Sequence, residues 1–202
     1  MLKLQTLVLS GLILVFSFSS APAIPSPTHQ VQETVDQVIE VLRDLNLKGD
    51  ARRETLSRLI RKRFDFTIMS QRTLGKYWNE GSAEDQKRFV VLFSDLLEES
   101  YIGRIEAYTN ETISYTGERI KGDRAEVATR VRNGNLDVQI NYRMVLLNDS
   151  WFVYDVIIEE VSLIKNYRSS YGEIVRNEGF SGLFSRMEAK IEELRNRPPV
   201  SG

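Results

Sequence analysis

Few residues in this sequence can perform nucleophilic or metal chemistry. It contains a single histidine, His29, and no cysteine. A thiol protease needs a cysteine, a Ser-His lipase needs a firmly held histidine, and a histidine-rich zinc site needs several. His29 follows a proline-containing lead, where a triad member would be poorly held. None of these three kinds of site is therefore expected.

Acid–base chemistry is left to three carboxylates, Asp155, Glu159 and Glu160, at the end of a long apolar run. A carboxylate in apolar surroundings can act as a base if its pKa is raised. A carboxylate at a strand end is more commonly solvated or paired with an arginine, and no recognisable catalytic geometry accompanies these three. The sequence therefore predicts a protein that is not an enzyme and that holds neither a metal nor another cofactor.

Basic residues are concentrated between positions 52 and 63. Such a run can bind phosphate, but it is also typical of a solvated helix face whose aliphatic stems cover apolar surface. The second interpretation is favoured. Across the chain, 27 basic residues stand against 28 acidic ones, which gives no reason to expect a nucleic-acid partner.

Residues 1–23 have the features of a cleaved secretory signal. Lys3 precedes an apolar run over residues 7–18, and Ala21-Pro22-Ala23 forms an A-x-A cleavage site. The apolar run is short for a membrane span, so a retained N-terminal anchor is the less favoured alternative. Cleavage after Ala23 removes one lysine and leaves residues 24–202, with 26 basic and 28 acidic residues, as a single predicted domain.

Helical and alternating patterns divide the rest of the chain. Apolar residues at helical spacing predict helices over residues 31–45, after residue 49 and over residues 82–108, where Ser82 and Asp85 resemble a capping box. Further helices are predicted from Ser162 to about residue 176 and from Gly179 to residue 194.

Between these helices, the apolar period changes to two. It predicts four strands over residues 112–120, 124–131, 136–146 and 151–158, with Asn133-Gly134 as a turn. The expected fold class is α+β: a curved four-stranded antiparallel meander wrapped by N- and C-terminal helices. In the last strand, Trp151, Val153 and Ile157 should face one side and the other apolar residues the opposite side. A strand with two apolar faces is covered on both sides or faces an apolar cavity.

The strand-to-helix junction carries a resemblance. Trp151, Tyr154, Asp155, Val156, Glu159, Val161, Ser162 and Leu163, followed by Asn166, Tyr167 and Arg168, resemble the closing strand and helix of the toluene-tolerance or MlaC family of periplasmic phospholipid-binding carriers. Upstream support comes from Leu74, Gly75 and Trp78 before the Ser82 cap, and from Phe93, Leu96, Leu97 and Tyr101 in the long helix.

This resemblance implies a deep apolar pocket that encloses two acyl chains and keeps the head group at its mouth. It implies a periplasmic carrier whose cargo is a phospholipid. The expected partners are an outer-membrane lipoprotein complex and an inner-membrane ABC transporter with a lipid-binding ring, which together maintain outer-membrane lipid asymmetry. One departure is Glu160, where the family usually has a glycine, a residue that permits unusual backbone dihedrals.

By position, the resemblance places Tyr101, Val138 and Val161 in the pocket wall, so a charge at Val161 should block lipid loading. Tyr101 and Tyr142 are expected to turn hydroxyls toward glycerol esters, and Arg104, Arg143 and Arg168 are candidates for the rim. The full predicted wall consists of Leu97, Tyr101, Ile105, Val138, Ile140, Tyr142, Met144, Val156, Ile158 and Val161.

Physical reasoning adds a requirement for depth. At ~0.8 kcal/mol per methylene, acyl chains gain as much in a membrane as in a protein, so a carrier must enclose them almost completely. Enclosing two acyl chains requires a pocket on the order of 800 Å³, which lies toward the upper end of the volumes of ordinary ligand pockets. The alternative is a periplasmic adaptor that binds only protein and whose interior is filled by its own side chains.

Overall fold

The structure, a computed structural model, describes residues 24–108, 110–134 and 136–197. The predicted signal over residues 1–23 lies outside the described residues. Among the helices described, none is long and apolar enough to cross a membrane.

In the described part of the chain, four α-helices precede the sheet. They are α1 (Pro27–Arg43), α2 (Gly49–Arg63), α3 (Phe66–Leu74) and α4 (Ala83–Glu106), and a 3-10 turn spans Gly75–Asn79. The predicted capping box is present at the start of α4: the Asp85 amide donates to the Ser82 hydroxyl, and the Ser82 amide donates to the Asp85 carboxylate. These reciprocal bonds fix where the longest helix before the sheet begins.

The sheet is an antiparallel meander in the order β1-β2-β3-β4-β5. Its strands are β1 (Thr112–Lys121), β2 (Arg124–Asn133), β3 (Leu136–Leu147), β4 (Ser150–Ile158) and β5 (Val161–Ser162). The α+β class is therefore confirmed. The fifth strand is an addition to the predicted four, because two residues are too few to show an alternating pattern.

A β-bulge changes the facing of β4. Arg143 pairs with Asp155 while the next residue, Met144, pairs with Val153, so Tyr154 is the extra residue. Val153 and Val156 consequently point to the same inner face, although alternation had assigned them to opposite faces. That assignment was wrong because a bulge shifts every later side chain by one position.

The last helix, α5 (Leu163–Arg195), has a kink at Gly179, where φ is 68° and ψ is −174°. Its two halves correspond to the two predicted helices. Together with α3 and α4 it encloses one buried cluster that includes Phe89, Phe93, Tyr171 and Leu183.

A second buried cluster lies on the inner face of the sheet, under α1, and includes Val127, Met144, Trp151 and Val153. A polar link joins this cluster to the helices. Arg63 of α2 donates to the Trp151 carbonyl at 2.8 Å, and the Trp151 amide donates to the Gln30 side chain at 3.0 Å. These bonds anchor the N-terminal part of α1 and the end of α2 to β4.

Candidate functional site

A cavity of about 610 Å³ lies between the inner face of the sheet and the helices, and side chains of both buried clusters reach it. The adaptor alternative requires an interior filled by the protein's own side chains. This cavity leaves part of the interior unfilled. Most of the lining is apolar: Val31, Val35, Val38, Ile39, Leu42, Ile60, Phe64, Phe66, Met69, Leu97, Tyr101, Ile102, Ile105, Tyr108, Ile113, Val131, Leu136, Val138, Ile140, Tyr142, Val153, Val156, Ile158 and Leu163.

Helix α1 forms one wall. Val31, Val35, Val38 and Leu42 recur at intervals of three or four residues, which places them on one face of the helix. Val31 is buried, whereas the residues toward the C-terminal end are only half-buried. The apolar face of α1 is thus covered near the sheet and open toward the far end of the cavity.

Helix α4, with Tyr108 just after its end, forms a second wall. Leu97, Tyr101, Ile105 and Tyr108 follow one another at helical spacing and line the cavity. Burial raises the pKa of the Tyr101 hydroxyl, and the Arg104 guanidinium lies 5.8 Å from the centre of its ring. This helix therefore presents an apolar stripe that ends near a positive charge.

The sheet supplies the third wall through β3 and β4. Tyr142 opposes Val156, and Ile140 opposes Ile158, all on the inner face. Burial raises the pKa of the Tyr142 hydroxyl, and a hydrogen bond with Thr129 opposes that shift. Because the Tyr142 hydroxyl already has a hydrogen-bond partner in the protein, it is less free to bond a glycerol ester than was expected from the sequence.

An ion pair closes the seam between α2 and α4. The Arg61 guanidinium donates to Glu98 at 2.8 Å and to Asp95 at 2.8 Å, and the Ser57 hydroxyl donates to Glu98 at 2.8 Å. Arg61, Glu98 and Ser57 also line the cavity. Arg61 of the basic run therefore already has two carboxylate partners on α4.

The mouth lies at the end where β3 begins and β4 ends. Arg104, Leu136 and Glu159 are exposed lining residues there, and Leu136 keeps 45% of its surface exposed. Arg104 forms no ion pair with any described residue. The opening thus combines an apolar edge with the carboxylate of Glu159 and the unpaired guanidinium of Arg104.

Eight of the ten predicted wall residues line this cavity: Leu97, Tyr101, Ile105, Val138, Ile140, Tyr142, Val156 and Ile158. The other two placements are corrected. Met144 is fully buried in the sheet cluster, and Val161 is 57% exposed in β5, outside the cavity. Val161 lies beyond the turn at residues 159–160, which carries it away from the wall.

Two of the three rim candidates lie elsewhere. Arg143 is on the outer face, paired with Glu126 at 3.2 Å and Asp155 at 3.5 Å. Arg168 donates to the Arg72 carbonyl at the end of α3. Only Arg104 reaches the cavity.

The three carboxylates considered for catalysis do not form a common site. Asp155 is buried and accepts hydrogen bonds from the Ser162 hydroxyl at 2.7 Å and the Ile164 amide at 3.2 Å. Glu159 accepts one from the Gln139 amide at 2.9 Å. Within the described ranges, no group of three histidine, aspartate or glutamate side chains is arranged to hold a metal ion.

Sequence reasoning missed the contribution of the first three helices to the wall. Val35, Val38 and Ile60 line the cavity, as do Phe64 and Phe66. Their helical spacing was visible, but spacing alone does not separate a residue that faces a cavity from one that faces a packed core.

Comparison with known proteins gives three similarities. The profile of the family described as MlaC protein matches residues 32–189. The intermembrane phospholipid transport system binding protein MlaC of Haemophilus influenzae is 26% identical over 128 residues, which is 60% of this chain and 60% of that relative. The match therefore spans about three fifths of the relative's length.

The third similarity is structural. A phospholipid-binding protein from Ralstonia solanacearum, solved in complex with a phospholipid, matches with a TM-score of 0.76. The two sequences are 24% identical, and the match covers 83% of this chain and 98% of that chain. At this identity the likeness establishes the shared fold.

Proposed function

This chain belongs to the MlaC protein family, and we propose that it binds a phospholipid by its acyl chains within the cavity. The observation that carries the proposal is an apolar cavity of about 610 Å³ between the sheet and the helices. This volume is of the same order as the ~800 Å³ estimated for two tails and lies within the usual range for ligand pockets. The eight predicted wall residues found there are the proposed tail contacts.

The head group would remain at the mouth. Arg104 is the unpaired cation there, and a guanidinium is well suited to a phosphate oxygen. With one such residue at the opening, we expect selection of the head group to be loose. Tyr101, one helical turn from Arg104, is the hydroxyl best placed to meet the glycerol esters.

The proposed role is that of a periplasmic carrier rather than an enzyme. It would move phospholipid between an outer-membrane lipoprotein complex and an inner-membrane ABC transporter with a lipid-binding ring, and so help to maintain lipid asymmetry. Support comes from the family and from the intermembrane transport system named for the Haemophilus influenzae relative. The engagement of Asp155 in hydrogen bonds at the β4–α5 junction supports a structural role for that acid.

Lipid loading is tested by placing a charge in the wall. In Ile140→Glu, a carboxylate would project where the tails must lie, and loading should be lost because burying an unpaired charge is costly. Asn141→Glu is the matched control, since residue 141 is adjacent on β3 but faces the outer side. Native mass spectrometry of protein purified from cells measures the bound lipid.

Three results are informative. Wild type and Asn141→Glu should each carry about one phospholipid, while folded Ile140→Glu should be empty. Equal occupancy in both variants would contradict the assignment of this cavity to the tails. A wild-type protein that carries no lipid from its native source would overturn the proposal itself.

A further inference from the structure

A cluster of basic side chains lies on the outer side of the molecule, away from the cavity. Arg72 and Arg124 both lie over the ring of Tyr154, with their guanidinium carbons 4.2 Å and 5.2 Å from its centre. Arg168 donates to the carbonyl of Arg72 and crosses over Gly75. Lys76 follows Gly75 directly in the chain. We call these four cations and Tyr154 the outer basic patch.

The patch is assembled from five elements: Tyr154 lies in β4, and the four cations lie in four other elements. These are α3, the 3-10 turn, the start of β2 and the first turns of α5. Stacking on Tyr154 orients the guanidinium groups of Arg72 and Arg124, so that the N–H groups that stay accessible lie in set directions at the edge. A carboxylate binds best to such a preorganised edge, because two parallel hydrogen bonds then form without ordering the side chain.

Charge in the patch is poorly compensated within the described residues. Arg72, Lys76 and Arg168 form no ion pair there, and Arg124 meets only Asp123, at 3.6 Å. One amino group of Arg124, Nη1, is buried without a hydrogen-bond partner. This local excess is notable in a chain whose formal net charge is −1.

Apolar surface adjoins the cations. Across the strands, Arg124 opposes Val145, and Val145 opposes Phe152, which is half-buried. Tyr154 is also half-buried. Arginine and aromatic side chains around a partly covered apolar centre are the composition typical of protein–protein interfaces.

The position of the patch argues for a protein partner rather than a bilayer. Arg124 begins β2, whereas Val131, seven residues later, lines the cavity toward its mouth. At ~3.3 Å per residue these two positions are roughly 23 Å apart. A membrane bound at the patch would hold the opening away from the lipid surface, whereas a protein bound there leaves the mouth free.

We propose that the outer basic patch is a docking surface for a carboxylate-rich segment of a protein partner. It extends the proposed function by naming the surface through which the carrier is held while its mouth stays open. The patch does not overlap the cavity, so it can be tested independently of lipid loading.

The experiment follows backbone amide shifts of the ¹⁵N-labelled protein during titration with an oligo-glutamate peptide. Saturable shifts are expected at Gly75, Lys76, Tyr154 and Arg168, and salt should weaken them. An uncharged glycine-serine peptide should produce none. A separate titration with vesicles containing phosphatidylglycerol tests whether the patch binds a membrane instead of a protein.

Two double variants of equal charge make the result specific. Arg72→Gln with Arg124→Gln should weaken binding about tenfold, as expected for the loss of charge-assisted hydrogen bonds. Arg58→Gln with Lys62→Gln removes two charges from the exposed side of α2 and should leave the affinity unchanged. Lys76→Gln is a single substitution at an exposed position and should also lower the affinity for the peptide. It keeps the test possible if the Arg72→Gln, Arg124→Gln double variant does not fold.

The proposal is overturned if both double variants lose affinity equally, if the shifts spread over α2, or if vesicles bind and the peptide does not. Phospholipid occupancy is measured in the same samples and should be unchanged. If the protein loses peptide binding but keeps its lipid, the docking proposal fails and the proposed function stands. If it lacks lipid but still binds the peptide, the proposed function fails and the docking proposal stands.

Discussion

Asp155 shows how a single carboxylate can be mistaken for a reactive group in a sequence. It is 4% exposed and joins three groups: the Ser162 hydroxyl, the Ile164 amide and the Arg143 guanidinium. Ser162 in turn caps α5 by accepting from the Lys165 amide at 3.1 Å. The acid thus fixes the angle at which α5 leaves the sheet.

Asp155→Ala should destabilise the fold by about 2–4 kcal/mol, because the Ile164 amide and the Ser162 hydroxyl would lose a buried acceptor and Arg143 would lose one of its two carboxylates. Chemical denaturation measures the effect. Glu173→Ala, at an exposed position of α5, is the control and should change stability little. A similar small change in Asp155→Ala would contradict the structural role.

Glu160, the departure noted in the family resemblance, has a backbone conformation that favours glycine. Glu159 and Glu160 have φ values of 48° and 67° in the turn between β4 and β5. Left-handed dihedrals cost most L-residues about 1 kcal/mol or more. The sequence identified the departure but not its conformation, since two consecutive glutamates are not a turn signal.

Glu160→Gly is therefore expected to raise the free energy of unfolding by about 0.5 kcal/mol, after the greater entropy of glycine in the unfolded chain is subtracted. Glu80→Gly is a matched comparison at an ordinary backbone position, with φ of −84°, and should be destabilising. Denaturation midpoints of the two variants should move in opposite directions. Movement in the same direction would mean that residue 160 is not strained.

At the scale of elements, the sequence predicted the strands better than their faces. Period-two alternation located β3 and β4 closely, but the bulge at Tyr154 reversed the facing of Val156 relative to Val153. A bulge depends on the pairing of two strands and leaves no mark in the pattern of one. Val161 was placed in the wall by the family resemblance instead, and a match of residue types does not show that the turn before β5 carries this side chain to the outside.

The sequence predicted two helices divided at Gly179, and the structure has one helix, α5, kinked at that residue, whose dihedrals lie in a region that is essentially restricted to glycine. The first half of α5 packs Tyr171 and Val175 into the helical cluster, and the second half adds Leu183 and Met187 to the same cluster. A straight helix could not keep both halves against α3 and α4.

Gly179→Ala should accordingly destabilise the protein by about 1–3 kcal/mol. Gly103→Ala is the control: residue 103 lies inside α4, nothing approaches within 4 Å of an added Cβ, and a gain of about 0.5–1 kcal/mol is expected. Thermal unfolding of both variants distinguishes a glycine required by the backbone from one that is merely tolerated. A stabilised Gly179→Ala would show that the kink is dispensable.

For the whole molecule, the spacing of apolar residues predicted the helices and strands but not the gap that separates them. Leu97 and Ile140 have the same pattern whether they touch each other or line a void. The gap arises because one buried cluster joins α3, α4 and α5 while the other joins α1 to the sheet. Only the arrangement of the two clusters leaves the space between them, and no local pattern encodes it.

Buried tyrosines make this arrangement sensitive to alkaline pH. Burial raises the pKa of Tyr101, Tyr115, Tyr142, Tyr167 and Tyr171. In the unfolded chain a tyrosine ionises near pH 10. Below that pH both states are neutral and the stability is fully present, whereas above it only the unfolded state readily loses its protons, so the free energy of unfolding falls as the pH rises.

We therefore expect denaturant midpoints to be level up to about pH 10 and to decline above it, while phenolate absorbance of the folded protein lags behind that of the unfolded protein. Tyr142→Phe removes one of these groups and should make the decline shallower. Because lipid tails would exclude water from the ring of Tyr101, loaded protein should keep that hydroxyl neutral to higher pH than protein from which the lipid has been extracted. Midpoints that stay level well above pH 10, or identical titrations of the loaded and extracted forms, would contradict this account of the interior.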